Sequence, residues 1–359
     1  MKKIRKAGIF VLSLILIFSM GLLSACGKDG SSDSSGTSGL LSSGSDEASV
    51  SFEAMDTYMT LTVYGNEAEE AMEAVEEEIE RLEGILSAED QESEIYSLNE
   101  SGTAVLSEDS AYLIEASLDL YEATDGAFDI TIYPVSEAWG FTGEDYNVPS
   151  ESELASLLEL VGSDKLFWDN ETSTLVLSEG MKVGLGGIAK GYAGDRAAEI
   201  FSEYDIDGAI ASLGGNIVVY GSKPDGEDWK VAIQDPEDSS DYICVLSLDE
   251  NLSVVTSGGY ERYFEEDGVT YHHILDPSTG YPADGGLTSV SIISENGTWA
   301  DGLSTALFVM GKDEAIEFWQ ENEDYDFEMV LLDSEGNLYV SEGLEDIYSS
   351  DLDAEIITR

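Results

Sequence analysis

The amino-acid sequence predicts an α+β fold: a single large domain of mixed, largely antiparallel sheets with packed helices, behind a leader and a flexible tether. Three observations predict it. Strand-like segments follow one another without intervening helices, which favours antiparallel pairing over a doubly wound parallel sheet. Other segments carry apolar residues at three- and four-residue steps, the period of a helix with one buried face. Apolar residues make up 42% of the chain and aromatics 9%, too much core-forming material for a disordered acidic tail. A length of 359 residues admits one large domain or about two. No composition shift after residue 50 marks a linker, so one domain is expected over residues 49–359.

The leader comes first. The basic run KKIRK at residues 2–6 precedes the apolar stretch IFVLSLILIFSMGLL and the small residues Ser24, Ala25 and Cys26. This is the layout of an export signal, too short and wrongly flanked for a permanent span of about 20 apolar residues. Leu23-Ser24-Ala25-Cys26 resembles the bacterial lipoprotein box, in which the cysteine is lipid-modified and starts the mature chain. Residues 1–25 are therefore expected to be a signal peptide, with palmitate or a related acyl group on Cys26 anchoring the protein to the cell membrane, facing the extracytoplasmic side. Residues 26–48, rich in Gly, Ser and Asp, read as a tether. About 22 such residues reach on the order of 25 Å. Cleavage would leave Cys244 as the one thiol, so no intramolecular disulfide supports the fold. Set in YICVLSL, Cys244 is expected to be a buried small hydrophobe.

Within the body, ASVSFEAMDTYMTLTVYG reads as a strand-like segment. Met72, Val75, Ile79, Leu82 and Leu86 then form one apolar stripe on a helix whose other faces are acidic. Leu113, Ala116, Leu120 and Ala123 suggest a second helix, stopped by Gly126. Ser150 with Glu153 three residues on is a capping-box pattern opening a third, ending near Gly162. Strands are expected in LVLS, AIASL, NIVVYG, KVAIQ, ICVLSL, VTYHHIL and LTSVSII, and a terminal hairpin in FEMVLLDSEGNLYVS. Helices fit IAKGYAGDRAAEIFSEY, WADGLSTALFVMG and KDEAIEFWQEN.

Charge narrows the function. With 75 acidic and 15 basic residues the formal charge is −60, which excludes a nucleic-acid binder, since phosphate backbones require clustered cations. Losing the four basic residues of the leader would make the mature chain more acidic still.

Four constellations carry chemistry. In Gly184-Leu185-Gly186-Gly187-Ile188-Ala189-Lys190-Gly191, glycines permit close backbone approach, and the start of a helix favours an anion such as phosphate; the pattern is neither GxGxxG nor a Walker loop. Leu213-Gly214-Gly215-Asn216 is a second glycine pair, either a turn in which Asn216 supports the backbone or a ligand contact. His272 and His273, the only two histidines, are adjacent on a strand and so face opposite sides. That disfavours a two-histidine metal site and leaves a polar contact, a general base or a structural role. On a helix, Asp301 and Thr305 lie one turn apart with Ser304 beside them. Their oxygens suit Mg²⁺ bridging a substrate phosphate, although Asp301 could equally cap the helix.

Together these blocks resemble the ApbE-type FAD:protein FMN transferases, lipoproteins that attach FMN covalently to threonine on electron-transfer proteins. The resemblance runs from about Met55 to Gly311 through AMDTYMTLTVYG, GAFDITIYPVSEAWGF, GLGGIAKGYAGDRAAE, SLGGNIVVYG, HHILDPSTGYP and ADGLSTALFVMG, in the family's order. It implies an ApbE/T-fold-like domain. It further implies that FAD is the substrate, contacted at Met55, Ala127, Phe128, Asp129, Gly184, Lys190 and Leu275. Mg²⁺ would be held by Asp301, Ser304, Thr305 and the Gly187 carbonyl, and His273 would be the general base. The implied reaction moves FMN from FAD to a threonine hydroxyl of an acceptor protein and releases AMP. The alternatives are a Mg²⁺-dependent FAD pyrophosphatase giving FMN and AMP, a non-catalytic flavin-binding lipoprotein, and a generic solute-binding lipoprotein. One departure stands out: the family usually carries Asp before LGG, where this sequence has Gly184.

Overall fold

The structure, a computed structural model, describes residues 47–143, 145–249 and 251–359. The expected signal peptide, Cys26 and most of the tether lie outside the described residues. Glu47 and Ala48, assigned to the tether above, belong instead to the first strand. Strands β1 (Glu47–Ala54) and β2 (Thr57–Gly65) form a hairpin in which Ala54 faces Thr57. The sequence read this stretch as one segment. Its turn, Met55-Asp56, lacks a glycine yet holds both residues at positive φ, 49° and 57°, the geometry that matches strand twist in a tight hairpin.

Helix α1 (Ala68–Leu86) follows, with all five residues of the predicted stripe buried. Next come α2 (Glu94–Ser101), β3 (Thr103–Val105), α3 (Glu108–Ala123), α4 (Tyr133–Trp139) and α5 (Glu151–Leu158). Ser150 Oγ accepts the Glu153 N–H at 3.3 Å, half of the expected capping box. Short strands β4 (Phe167–Asp169) and β5 (Thr174–Val176) complete a small sheet with β3. After them come α6 (Ala189–Phe201), β6 (Ile206–Leu213), β7 (Asn216–Gly221), β8 (Trp229–Gln234) and β9 (Tyr242–Leu248). The chain continues through β10 (Leu252–Gly258), β11 (Tyr263–Glu266), β12 (Val269–His272), β13 (Leu287–Ser294), α7 (Gly297–Met310) and α8 (Lys312–Glu321). It closes with β14 (Glu328–Asp333), β15 (Leu338–Ser341), β16 (Tyr348–Ser349) and β17 (Ala354–Ile357).

Nine of these strands form one sheet in the order β1-β2-β6-β7-β10-β13-β14-β15-β17. Every neighbouring pair is antiparallel except β15 and β17. This is the predicted α+β class. Because side chains alternate across a strand, the two faces bury different residues. Ala209, Ala211, Val218, Val290, Ile292, Met329 and Leu331 join the helices in the main core, while Ile210, Ile217, Val219, Ile293, Val330 and Leu332 pack on the β8–β9 hairpin. Burial on both sides explains the unbroken apolar runs in β7 and β14, each such side chain contributing roughly 1.5–3 kcal/mol. Cys244 sits in this second core, fully buried, as expected. A third cluster gathers around Trp139, whose indole N–H donates to the Gly280 carbonyl at 2.8 Å, and ties α4 and α5 to the β11–β12 hairpin. The consequence for function is positional. Helices α6 and α7 lie side by side, Gly191 of the one bonded to Asp301 of the other, and the end of β10 reaches α7 through Ser257.

Candidate active site

Helix α7 owes its position to two caps. Asn296 accepts the Trp299 N–H at 2.9 Å, and Asp195, reaching from α6, accepts from Gly297 N, Thr298 N and Thr298 Oγ1 at 2.6, 2.8 and 2.5 Å. These carboxylate and amide oxygens satisfy N–H groups that a helix start leaves open. Asp301 is therefore not the cap; it sits in the second turn, buried, and its Oδ2 accepts the Gly191 N–H at 2.8 Å. That bond requires the helices to touch. A Cβ at Gly191 would lie 2.1 Å from the Gly297 carbonyl oxygen, so only glycine permits the approach.

Beyond Asp301 the hydroxyls assemble. Ser304 Oγ donates to the Asp301 carbonyl at 2.8 Å, so Ser257 Oγ, at the end of β10 and 2.8 Å away, must donate to it. Ser257 Oγ also lies 3.4 Å from Thr305 Oγ1. Gly187 closes the group: a Cβ there would stand 3.8 Å from Thr305 Oγ1 and 3.2 Å from the Phe128 ring. Of the four residues expected to hold a cation, Asp301, Ser304 and Thr305 are neighbours on α7 and Gly187 packs beside Thr305, while the Asp301 carboxylate is bonded to Gly191 N–H. Their donors are hard oxygens, one carboxylate with hydroxyls and a carbonyl, which suit Mg²⁺. Among the described residues no three His, Cys, Asp or Glu side chains cluster as a metal cage. A cation here would take much of its coordination from water and an anionic ligand, the habit of Mg²⁺ at phosphates.

Charge around this point is arranged for such an anion. Lys190, in the first turn of α6, lies in the electrostatic range of Glu261 and His273 but makes no ion pair within 4.0 Å among the described residues. Glu261 is exposed by surface area, yet the surrounding protein still desolvates its carboxyl. That desolvation, offset by Lys190 and reinforced by Asp301, pushes its carboxyl up to about 7. Its Oε1 lies 3.1 Å from where a Gly215 side chain would begin, so the second glycine pair makes room for it. The turn holds Gly214 and Gly215 at φ 61° and 94°; Asn216 is buried after it, and among the described residues its Nδ2 has no hydrogen-bond partner.

The two histidines have different partners, but not by strand alternation: β12 ends at His272 and His273 lies just beyond it. His272 Nε2 lies 3.1 Å from the Ala283 carbonyl, and its ring meets Phe308 edge-on. His273 Nδ1 lies 3.2 Å from the Arg262 carbonyl, which also accepts the His273 backbone N–H at 3.0 Å. A carbonyl can only accept, so Nδ1 carries the proton and Nε2 offers its lone pair. Burial, with Arg262 and Lys190 adding repulsion, pushes the imidazole down to about 3 and holds it neutral.

The remaining expected contacts are partly half-buried and partly buried. Met55 is half-buried at its strained turn, its N–H donating to Glu83 Oε1 at 2.8 Å. Phe128 is buried against Gly187, and Ala127 precedes it, half-buried. Asp129 is committed internally: its carboxylate accepts from Thr131 N, Thr131 Oγ1, Ser163 Oγ and Ser163 N at 2.9, 2.7, 2.7 and 3.2 Å. Gly184 donates its N–H to the Ile130 carbonyl at 2.9 Å. Leu275 is buried in the Trp139 cluster and bridges to Pro282.

Sequence reasoning missed Asp195, Ser257, Glu261 and the Arg262 carbonyl. Only the pair Glu261-Arg262, charged residues between a glycine pair and an aromatic run, gave a signal that could have been used. A cavity of about 410 Å³ is lined by α6 residues including Asp195; its Arg81 and Arg196 are paired with Glu78, Asp109 and Glu199.

The geometry and the comparisons with known proteins converge. The sequence profile of the ApbE family matches residues 55–330. The FAD:protein FMN transferase of Treponema pallidum is 34% identical over 272 residues, covering 71% of this chain and 75% of that protein. That of Haemophilus influenzae is 32% identical over 266 residues, covering 71% and 77%. Among solved structures, the ApbE protein of Thermotoga maritima superposes with a TM-score of 0.78 at 36% identity, covering 84% of this chain and 99% of that one. The flavinyl transferase ApbE of Pseudomonas stutzeri, in its apo form, gives 0.73 at 27% identity, covering 84% and 96%. With a profile that takes in most of the body and relatives alike over two thirds of the chain, this protein belongs to the ApbE family.

Proposed function

We propose that the protein transfers FMN from FAD to a threonine hydroxyl of an acceptor protein, with Mg²⁺ required and AMP released. What supports this reading is a set of hard-oxygen donors on α7 and β10 packed against the glycine loop, together with Lys190, which among the described residues makes no ion pair within 4.0 Å and acts electrostatically on a His273 held neutral. FAD is a pyrophosphate diester, and each part answers one of its needs. Asp301, Ser304, Thr305 and the Gly187 carbonyl would hold the cation, which when bound would neutralise charge building on the phosphate oxygens. Lys190 binds the pyrophosphate from the other side. His273 Nε2 takes the proton as the threonine oxygen attacks the FMN-side phosphorus. A new P–O bond to threonine forms, the bond to the bridging oxygen breaks, and that oxygen leaves with its electron pair on AMP.

A metal is more than a convenience in so acidic a chain. FAD is an anion, the protein carries −60, and at physiological salt only charges within roughly 8 Å act strongly. Local cations must supply the attraction. We further propose, on the leader alone, that the enzyme works from a lipid anchor at Cys26 on the extracytoplasmic side, on flavin-carrying electron-transfer subunits or domains.

One assay tests the reading. The purified body is incubated with FAD, Mg²⁺ and an acceptor bearing the target threonine, and products are separated by denaturing gel and chromatography. A fluorescent acceptor band with stoichiometric AMP is expected. Free FMN without a labelled acceptor would replace transfer by hydrolysis, and intact FAD would remove catalysis.

A further inference from the structure

We propose that Tyr133 is a specificity-determining residue, supplying from the start of α4 a ring contact to FAD that residue 184 cannot give in this chain. The inference rests on the FAD reading above. It begins with the unexplained glycine at 184, where the family's motif usually carries Asp. A Cβ built on Gly184 would lie 2.5 Å from Cδ2 and 3.3 Å from Cβ of Tyr133, so the tyrosine occupies the direction a side chain at 184 would take.

The backbone cannot step aside. Asn99 grips Val183 through both backbone groups, Nδ2 donating to its carbonyl and Oδ1 accepting its N–H, each at 2.8 Å. Gly184 N–H is held by Ile130. The two positions are therefore exclusive: a large ring at 133 or a side chain at 184.

Tyr133 is placed to meet a ligand. It is half-buried and lines a cavity of about 260 Å³ that also includes Glu89, Glu137 and Lys182. The Met55-Asp56 turn approaches the same place, since Asp56 and Glu89 both act electrostatically on the phenol. From Gly184 to Gly187 the chain spans at most roughly 10 Å. A nucleotide whose phosphate sits by Gly187, Thr305 and Lys190 can thus reach the cavity with its ring. The chemistry offered there is an aromatic face, suited to a planar heteroaromatic ring, with Glu89 able to accept from a ring-edge N–H group, Glu137 being paired with Lys182 at 2.8 Å.

The test measures equilibrium binding of FAD, FMN and ADP, each with Mg²⁺, by flavin fluorescence and calorimetry. Tyr133→Phe should bind FAD within about threefold of the parent, and Tyr133→Leu roughly tenfold more weakly. The ring concerned is identified by which half-ligand suffers: loss for FMN alone assigns the flavin, loss for ADP alone the adenine. Gly184→Asp should weaken binding, and Tyr133→Gly combined with Gly184→Asp should restore it above either single variant. Tyr133→Leu binding FAD as the parent does would overturn the proposal. If Tyr133→Leu does not fold, the double variant decides, and binding no better than that of the worse single variant overturns it. Failure of the parent itself to bind FAD would instead remove the underlying reading.

Discussion

Gly191 is where stability and chemistry meet, and Gly191→Ala probes both. A methyl group there would lie 2.1 Å from the Gly297 carbonyl oxygen and 2.7 Å from Asp301 Cβ. Non-bonded contacts of this kind need well over 3 Å, so α6 and α7 must part by roughly 1 Å. Overpacking costs about 1–3 kcal/mol, and losing the bond from Gly191 N–H to the Asp301 carboxylate about 1.5–3 kcal/mol. The two share one displacement, so about 3–5 kcal/mol in all is expected, a large part of a typical domain's stability. Gly186→Ala is the control. It lies in the same glycine loop, at ordinary φ, with nothing within 4 Å of its Cβ position. It should leave stability unchanged or raise it by about 0.4–1 kcal/mol, while weakening FAD binding if a ligand packs on the loop. Urea titration at constant m-value measures the first effect, and FAD titration with Mg²⁺ the second. A Gly191→Ala protein within about 0.5 kcal/mol of the parent would refute the close-contact argument. Unaltered FAD affinity in Gly186→Ala would refute the loop as a ligand cradle.

Three further outcomes are expected. Asp301→Asn keeps the volume and an acceptor for Gly191 N–H, so it should fold, yet Mg²⁺-dependent AMP release should fall by about 10²–10³; activity above a tenth of the parent's would contradict the cation site. His273→Gln should bind FAD within a few-fold and transfer about 10²–10⁴ more slowly. Because the folded state holds His273 near 3 rather than 6.5, keeping it neutral contributes stability above about pH 6.5 that is lost as pH falls toward 3. His273→Gln should therefore lose less stability than the parent over that window, and identical acid profiles would contradict the burial argument. Cys244, whose thiol burial pushes up to about 12, should resist a thiol reagent at pH 8 in the native body and react once unfolded; rapid native labelling would place it elsewhere.

Much of this protein was legible in its residues. Stripes such as Met72 to Leu86 identify buried helix faces because a helix repeats every 3.6 residues, and adjacent strands fix the α+β class because short connections leave only antiparallel pairing. The helical grouping of the residues proposed to hold a cation was legible too, since Asp301 and Thr305 are one turn apart in any helix. Local signals failed where a residue's role depends on a distant partner. The Met55-Asp56 turn lacks a glycine and is held by strand pairing. β10 went unread, for LSVVTSG offers few apolar residues and ends in glycine, yet the sheet buries it at its centre and delivers Ser257 to Ser304. Asp195 looks like a solvated helix charge until α7 arrives to be capped by it. Glu261 gains its raised proton affinity only from the desolvation by protein folded around it, with Asp301 adding to it, and His273 acquires a defined tautomer only from a carbonyl eleven residues earlier. Gly184 is the sharpest case. Alone it is a missing acid; beside Tyr133 it is the one residue that fits. By itself the sequence determined which chemistry-bearing residues exist and which elements carry them, because propensity and periodicity are local. Which of them meet, and with what charge, was decided by tertiary structure, because contact, desolvation and Coulomb interaction act through space.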